Sequence, residues 1–236
     1  TGSVAPITII IHAKDEERNL PFALKSVVGR FQKVIVVDAG SADRTREIAR
    51  DAGAEVVPIS GDRTTLVRQR NWALSNVSFP TEWIFTLDAD ETVPDDLFEE
   101  VRRIAENPVV EFDGYWVRYK EVVFGRWIKR ANIYPNYVLR LFRAGQAHYE
   151  DRSVNAHLLI RSGRTGYLQA HFIHDDRRGF AAYIKRLSGI TVVEANSVGE
   201  IQEEGEGKNL LRANLFSRNF GERRRALKRI FYRLPF

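Results

Sequence analysis

The sequence predicts an α/β protein, a mostly parallel sheet flanked by helices. Two observations predict it. Short apolar runs rich in β-branched and aromatic residues alternate with helical patterns from Ile7 to Glu106, an order that gives a parallel sheet with right-handed crossovers. Three of those runs end in polar, acid-bearing loops. A parallel sheet collects such loops along one edge, where open α/β sheets bind ligands.

Each element follows from its residues. Ile7-Thr8-Ile9-Ile10-Ile11 is a strand, and His12-Ala13-Lys14-Asp15-Glu16-Glu17-Arg18-Asn19 is a polar loop. Asn19-Leu20-Pro21 opens an amphipathic helix through Val28, with proline in the first turn, where its missing N–H is harmless. Val34-Ile35-Val36-Val37 is a second buried strand, ending at Asp38-Ala39-Gly40-Ser41-Ala42-Asp43-Arg44-Thr45. Gly40 permits a tight turn with positive φ, and Ser41 or Asp43 can cap the helix from Arg46 to Ala52. A strand from Ala54 to Pro58 and a helix from Leu66 to Asn76 follow. The run Glu82-Trp83-Ile84-Phe85 leads into Thr86-Leu87-Asp88-Ala89-Asp90-Glu91, after which Pro94 opens a helical pattern from Asp95 to Glu106. Thr165 to Ala170 is strand-like and precedes His171 and His174.

The chemistry concentrates at the strand ends. Asp88 and Asp90 stand one residue apart at the end of a buried strand. Two carboxylates so placed repel each other unless a cation holds them, and a hard divalent ion bridging a phosphate is the usual holder. The plain alternative is an acidic turn. Asp38 stands at another strand tip, where it either receives hydrogen bonds from a base or ribose or shapes its own turn. Arg68 and Arg70 are two apart on a helix, so at most one of them faces a given site.

At this point the chain resembles an inverting glycosyltransferase of family 2 with the GT-A nucleotide-sugar fold. The matching motifs are His12 to Glu17, Asp38 to Thr45 and Asp88-Ala89-Asp90-Glu91. Within that family it most resembles the bacterial lipopolysaccharide-core β-1,4-glucosyltransferase group. That narrower likeness is carried by Arg68-Gln69-Arg70-Asn71-Trp72-Ala73-Leu74 and by Gly125-Arg126-Trp127 running to Tyr134-Pro135-Asn136 and Arg140-Leu141-Phe142-Arg143. The resemblance covers roughly residues 6 to 195. It implies that Asp38 binds the base, with Ala13 and Glu16 adding backbone or ribose contacts. Arg68, Arg70 or Asn71 would lie near the uridine or diphosphate. Asp88, with Ala89 beside it, would contact ribose or metal, and Asp90 would ligate Mg or Mn. His174 would complete the metal or diphosphate shell; the alternative is a histidine at a helix N-terminus near Asp175 and Asp176.

The general base is where the chain departs from its relatives. An inverting transferase needs a group to take the acceptor hydroxyl's proton. The subgroup carries Val-His-Glu where this chain has Val154-Asn155-Ala156. Upstream, Glu150-Asp151 resembles the base motif of the wider family, which points to Asp151 first and Glu150 second. His157 is a weaker substitute, and a chain without an active base is the alternative.

Composition narrows the classes. The 236 residues contain no cysteine, which excludes disulfides and thiol catalysis, and no methionine. Thr1-Gly2-Ser3 reads as a cleavage scar, and no apolar run approaches the ~18 residues of a spanning helix. The sequence divides into a catalytic domain, residues 4–199, and a C-terminal helical extension, residues 200–236. Residues 207–236 hold nine Lys or Arg and one Glu, a net of +8 against +5 for the whole chain, so residues 1–206 net −3. Phe220, Leu227, Ile230, Phe231 and Leu234 punctuate those charges, the pattern of a helix lying on anionic lipid. A nucleic-acid partner ranks lower, because an apolar seam has no use on a phosphate backbone; a helix packed on the domain is a third reading. The expectation is a metal-assisted transferase acting on a lipid-linked or lipopolysaccharide-type glycan acceptor. It would be cytoplasmic and peripheral on the inner face of the bacterial plasma membrane. The alternatives are a non-catalytic sugar-nucleotide binder and a nucleotidyltransferase. The latter would want a glycine-rich loop after the first strand, and residues 12–19 contain no glycine.

Overall fold

A computed structural model of the chain describes residues 3–59, 66–130, 134–150, 156–185, 188 and 189. The C-terminal extension, the domain boundary before it and Asp151 lie outside the described residues.

The first half alternates as the apolar runs dictate: β1 (Ala5–Ala13), α1 (Leu20–Val27), β2 (Phe31–Asp38), α2 (Thr45–Asp51), β3 (Glu55–Pro58), α3 (Leu66–Asn76), β4 (Trp83–Asp88), β5 (Glu91–Thr92) and α4 (Asp95–Glu106). The second half is all strand: β6 (Gly114–Val123), β7 (Arg126–Trp127), β8 (Tyr137–Arg143), β9 (Ala147–Tyr149), β10 (Leu158–Ile160) and β11 (Thr165–Asp175). The main sheet has nine strands in the order β3-β2-β1-β4-β8-β6-β11-β5, with β7 on β6; β9 and β10 form a separate hairpin.

The sheet is mixed. From β3 to β4 all pairings are parallel, whereas β8 runs antiparallel to both β4 and β6. The mostly parallel expectation holds where strands and helices alternate. Beyond Glu106 no helix lies between the described strands up to β11, and short connections join antiparallel neighbours. Because β11 is parallel to β6, strands β1, β2, β4, β6 and β11 nonetheless point the same way. Their carboxyl ends, at Ala13, Asp38, Asp88, Val123 and Asp175, share one edge.

Both faces of the central strands are buried, which is why they read as continuous apolar runs. Ile7, Ile9 and Ile11 pack on one side with Leu24, Val27, Leu97 and Val101, while Ile10, Ile35 and Ile84 pack on the other with Val67, Ala73 and Tyr149. A buried Thr8–Thr81 hydroxyl pair, 2.6 Å apart, satisfies a polar side chain within the apolar run of β1.

Candidate functional site

The site is built on the carboxyl edge. Strand register sets Ala13 beside Asp38 and His12 beside Asp88. The loops after β1 and β2 are laced together. The backbone N–H groups of Asp15, Glu16 and Glu17 donate to Ser41 Oγ, Thr45 Oγ1 and Asp43 Oδ2 at 2.9, 2.8 and 3.0 Å. Ser41 is therefore a tie between loops rather than a cap. Asp43 receives the Thr45 N–H at 3.0 Å as well, so it still serves the start of α2. Asp38 is fully buried and accepts the N–H groups of Gly40 and Ser41 at 3.2 Å. Gly40 has φ of 83°, the conformation the turn needs. Ala13 is buried, and its carbonyl accepts the Ala39 N–H at 2.9 Å.

Asp88 lies between two guanidinium groups. Arg70 pairs with Oδ1, and Arg140 Nη2 donates to Oδ2 at 3.2 Å and to Glu91 Oε1 at 2.5 Å. The Asp88 N–H closes the cluster by donating to Glu91 Oε2 at 2.8 Å. Burial alone would raise the Asp88 carboxyl, but Arg70 and Arg140 hold it well below the usual carboxylate range. Burial pushes Glu91 up to about 7 against the pull of Arg140. His12, buried beside them, is pushed down to about 3 by desolvation and then by Arg70, so its imidazole is neutral. Arg140 reaches the cluster through a β-bulge: Tyr115 pairs with Leu141 and Trp116 with Leu139, leaving Arg140 unpaired between them. Bulges beside sites commonly re-aim a side chain in this way.

Asp90 and His174 meet next to that cluster. His174 Nε2 is 3.1 Å from Asp90 Oδ2, and Nδ1 is 3.0 Å from Glu121 Oε2. His174 lies within β11, opposite Glu91 of β5 and Glu121 of β6, not at a helix start. Burial works against its protonation, but the hydrogen bonds and charges of Asp90 and Glu121 raise it to about 11. Among the described residues no three His, Cys, Asp or Glu side chains gather as a metal cage. In this structure Asp90 and His174 form an ion pair, with the imidazole held in its protonated form between Asp90 and Glu121. His171, three residues earlier and so on the opposite face of the strand, lies parallel to the Trp127 ring with centroids 6.4 Å apart.

A third cluster closes the edge. Arg178 Nη1 binds Glu16 Oε1 at 2.9 Å and Arg178 Nη2 binds Asp176 Oδ2 at 2.8 Å. Asn19 bridges the same groups. Its Nδ2 donates to Glu16 Oε2 at 2.8 Å and to Asp176 Oδ1 at 3.2 Å, while its Oδ1 accepts the Arg177 N–H at 2.8 Å. The loop after β1 is thereby fastened to the segment after β11. Desolvation raises Glu16 to about 7, although Asn19 and Arg178 favour its charged form.

The remaining expected residues are distributed as follows. Arg70 turns inward, whereas Arg68 is exposed. Ala89 is buried. Asn71 is turned to the backbone of Tyr149. Its amide donates to Tyr149 O at 2.9 Å and accepts the Tyr149 N–H at 2.7 Å, so both ends hold the backbone that leads to Glu150. Glu150 Oε2 accepts the His157 N–H at 3.2 Å. Sequence reasoning assigned no role to Arg140, Glu91, Glu121, Asn19 or Arg178. Glu91 adjoins the two aspartates and could have been included; the others are joined to the site only by strand register and loop docking.

Comparison with known proteins agrees with this geometry. The family described as "Glycosyl transferase family 2" matches residues 8–181. Among curated proteins, the chain is 32% identical over 107 residues to a TPR repeat-containing protein of Synechococcus elongatus, covering 45% of this chain and 26% of that one. It is 47% identical over 58 residues to 4,4'-diaponeurosporenoate glycosyltransferase of Staphylococcus haemolyticus, covering 24% and 16%. An uncharacterized glycosyltransferase of Rickettsia typhi is 35% identical over 100 residues, covering 42% and 32%. The chain thus spans less than a third of the length of these relatives. Among solved structures, S. aureus TarS 1-349 in complex with UDP-GlcNAc superposes with a TM-score of 0.54 at 16% identity, covering 86% of this chain and 68% of that one. That likeness is one of fold.

Proposed function

Because the chain belongs to glycosyltransferase family 2, we propose that it moves a sugar, with inversion, from a nucleotide-diphosphate sugar to a lipid-linked or lipopolysaccharide-type glycan acceptor. The donor is a UDP-hexose in this reading. One observation carries it. Asp38 and Asp88 end the two parallel strands that flank β1, and Asp90 follows in the turn after β4, with Arg70 and Arg140 on Asp88 and His174 on Asp90. The fold neighbour TarS, solved with UDP-GlcNAc, supports the donor class.

The roles follow from the chemistry. Asp38 lines the base subsite, and Asp88 offers a carboxylate whose charge Arg70 and Arg140 keep in place for ribose hydroxyls. Asp90 would hold Mg or Mn, with His174 joining it once the imidazole gives up its proton, and the ion would stabilise the charge developing on the leaving diphosphate. Asp151 takes the acceptor proton, with Glu150 as the second candidate. The Asn71–Tyr149 contact fixes the strand end next to Glu150. The basic extension brings the domain to the inner face of the bacterial plasma membrane. The likeness to the lipopolysaccharide-core β-1,4-glucosyltransferase group supports a glycan acceptor of that type. A non-catalytic sugar-nucleotide binder is the second reading, favoured by Asn155-Ala156 where that group has His-Glu.

Turnover with a panel of sugar nucleotides separates the two. Asp151→Asn should lower turnover by ~10² or more, the usual contribution of a general base, while donor affinity stays nearly constant. If Glu150→Gln is the inactive variant, the role moves by one residue. If the parent binds UDP-sugars but turns none over, the binder reading replaces the transferase.

A further inference from the structure

The carboxyl edge carries a feature that donor chemistry does not use. At the tip of the β6–β7 hairpin, Phe124 is 64% exposed, and on the segment after β11 Phe180 is 63% exposed. Their ring centroids are 5.8 Å apart, and Tyr183 lies 6.4 Å from Phe124. Ile184 is also exposed. Phe124 has φ of 50°, the left-handed region that a bulky residue enters at a cost. The hairpin turn therefore holds a large apolar ring out into solvent in a conformation that glycine would adopt with less strain.

The surroundings identify what such a patch meets. Residues 122–130 and 177–185 each contain three Lys or Arg and no Asp or Glu. Arg177 and Arg178 are matched by Asp175, Asp176 and Glu16. Arg126, Lys129, Arg130 and Lys185 are exposed and form no ion pair among the described residues. Exposed phenylalanines on segments whose exposed cations form no ion pair among the described residues match a bilayer surface, with rings entering the acyl boundary and cations meeting anionic headgroups. A nucleic acid would use the cations but would leave Phe180 and Ile184 without a role.

We infer that the β6–β7 tip and residues 180–185 form a docking surface for an anionic lipid bilayer. This surface belongs to the folded domain and is distinct from the basic C-terminal extension. Val123, which precedes Phe124, ends a strand on the edge that carries Asp88 and Asp175. Docking there turns the open edge of the site toward the membrane. The inference does not depend on turnover, only on the surface.

The absence of cysteine allows a site-specific test on the full chain. Phe124→Cys, Phe180→Cys and Val109→Cys are each labelled with an environment-sensitive fluorophore. Val109 is 81% exposed and lies before the start of β6, at the opposite edge of the sheet. With vesicles of phosphatidylglycerol and phosphatidylcholine, the labels at positions 124 and 180 should shift to the blue and the label at 109 should not. Pure phosphatidylcholine should produce little shift. The double variant Phe124→Ser, Phe180→Ser should keep its circular dichroism and UDP binding. Its partition onto anionic vesicles in high salt should fall by about tenfold or more, since salt leaves chiefly the apolar contribution. Sedimentation with vesicles but no shift at 124 and 180 would overturn the inference and leave the extension as the anchor. So would an equal shift at 109, unaltered partition of the double variant, or a full shift before vesicles are added, which would mean that the chain itself covers the patch.

Discussion

Asp88 illustrates how much of this site is decided by single side chains. Its two arginines come from different layers, Arg70 from α3 and Arg140 from the bulge in β8. Arg140 also touches Glu91, and both are deeply buried. Arg140→Ala would leave two carboxyl groups in a low-dielectric site with one cation fewer. It should cost about 3–5 kcal/mol, the range for breaking a buried pair by removing one partner. Urea unfolding measures the loss, and Arg140→Lys should recover only part of it, since one ammonium does not reproduce the guanidinium fork. Glu16 gives a pH signature. Its carboxyl is raised from 4.5 to about 7 in the folded chain, so the folded state binds that proton more tightly than the unfolded state does. The associated stability is complete below about 4.5 and is lost as pH rises to about 7. The stability difference between the parent and Glu16→Gln should therefore shift against the parent between pH 5 and pH 8. A difference constant across that window would refute the assignment.

At the scale of elements, the Asn71 side chain ties the backbone of the β9–β10 hairpin to α3. Asn71 exchanges two hydrogen bonds with the backbone of Tyr149. Asn71→Ala should cost about 1–3 kcal/mol, because both backbone groups lose their partner. In the proposed reaction it should lower turnover while sparing donor affinity, as expected for a residue that positions the base loop. Unchanged turnover would show that the base acts without that contact. Most of the first half was legible in the sequence. The apolar runs of β1, β2 and β4 are buried on both faces, and the proline beside each of α1 and α4 marks a helix start. Such signals are local. The antiparallel β8, its bulge at Arg140 and the Asn19–Asp176–Arg178 clamp rest on pairings between residues far apart in the chain, so local periodicity carries no trace of them. His174 shows the same limit: its sequence neighbours Asp175 and Asp176 suggested a helix start, while its partners, Asp90 and Glu121, come from other strands.

For the whole molecule, charge and fold divide the work. The glycosyltransferase fold supplies the carboxyl edge, and the net positive charge lies beyond it, since residues 1–206 net −3. The last thirty residues, 207–236, carry a net charge of +8. With about 1 kcal/mol for each Lys or Arg near an anionic surface, half of that charge would hold the protein reversibly at a membrane. Deleting residues 208–236 should therefore weaken sedimentation with anionic liposomes while UDP binding persists. Equal sedimentation of both proteins would favour a helix packed on the domain. In the proposed reaction the edge itself receives a uridine diphosphate through a divalent ion held by Asp90 and His174. Calorimetric titration of UDP into the full chain, with and without Mn, tests it most directly when repeated on Asp90→Ala. Mn-dependent binding is expected in the parent and its loss in the variant, with the fold retained because His174 keeps Glu121 as a partner. Unchanged UDP affinity of Asp90→Ala in the presence of Mn would contradict it.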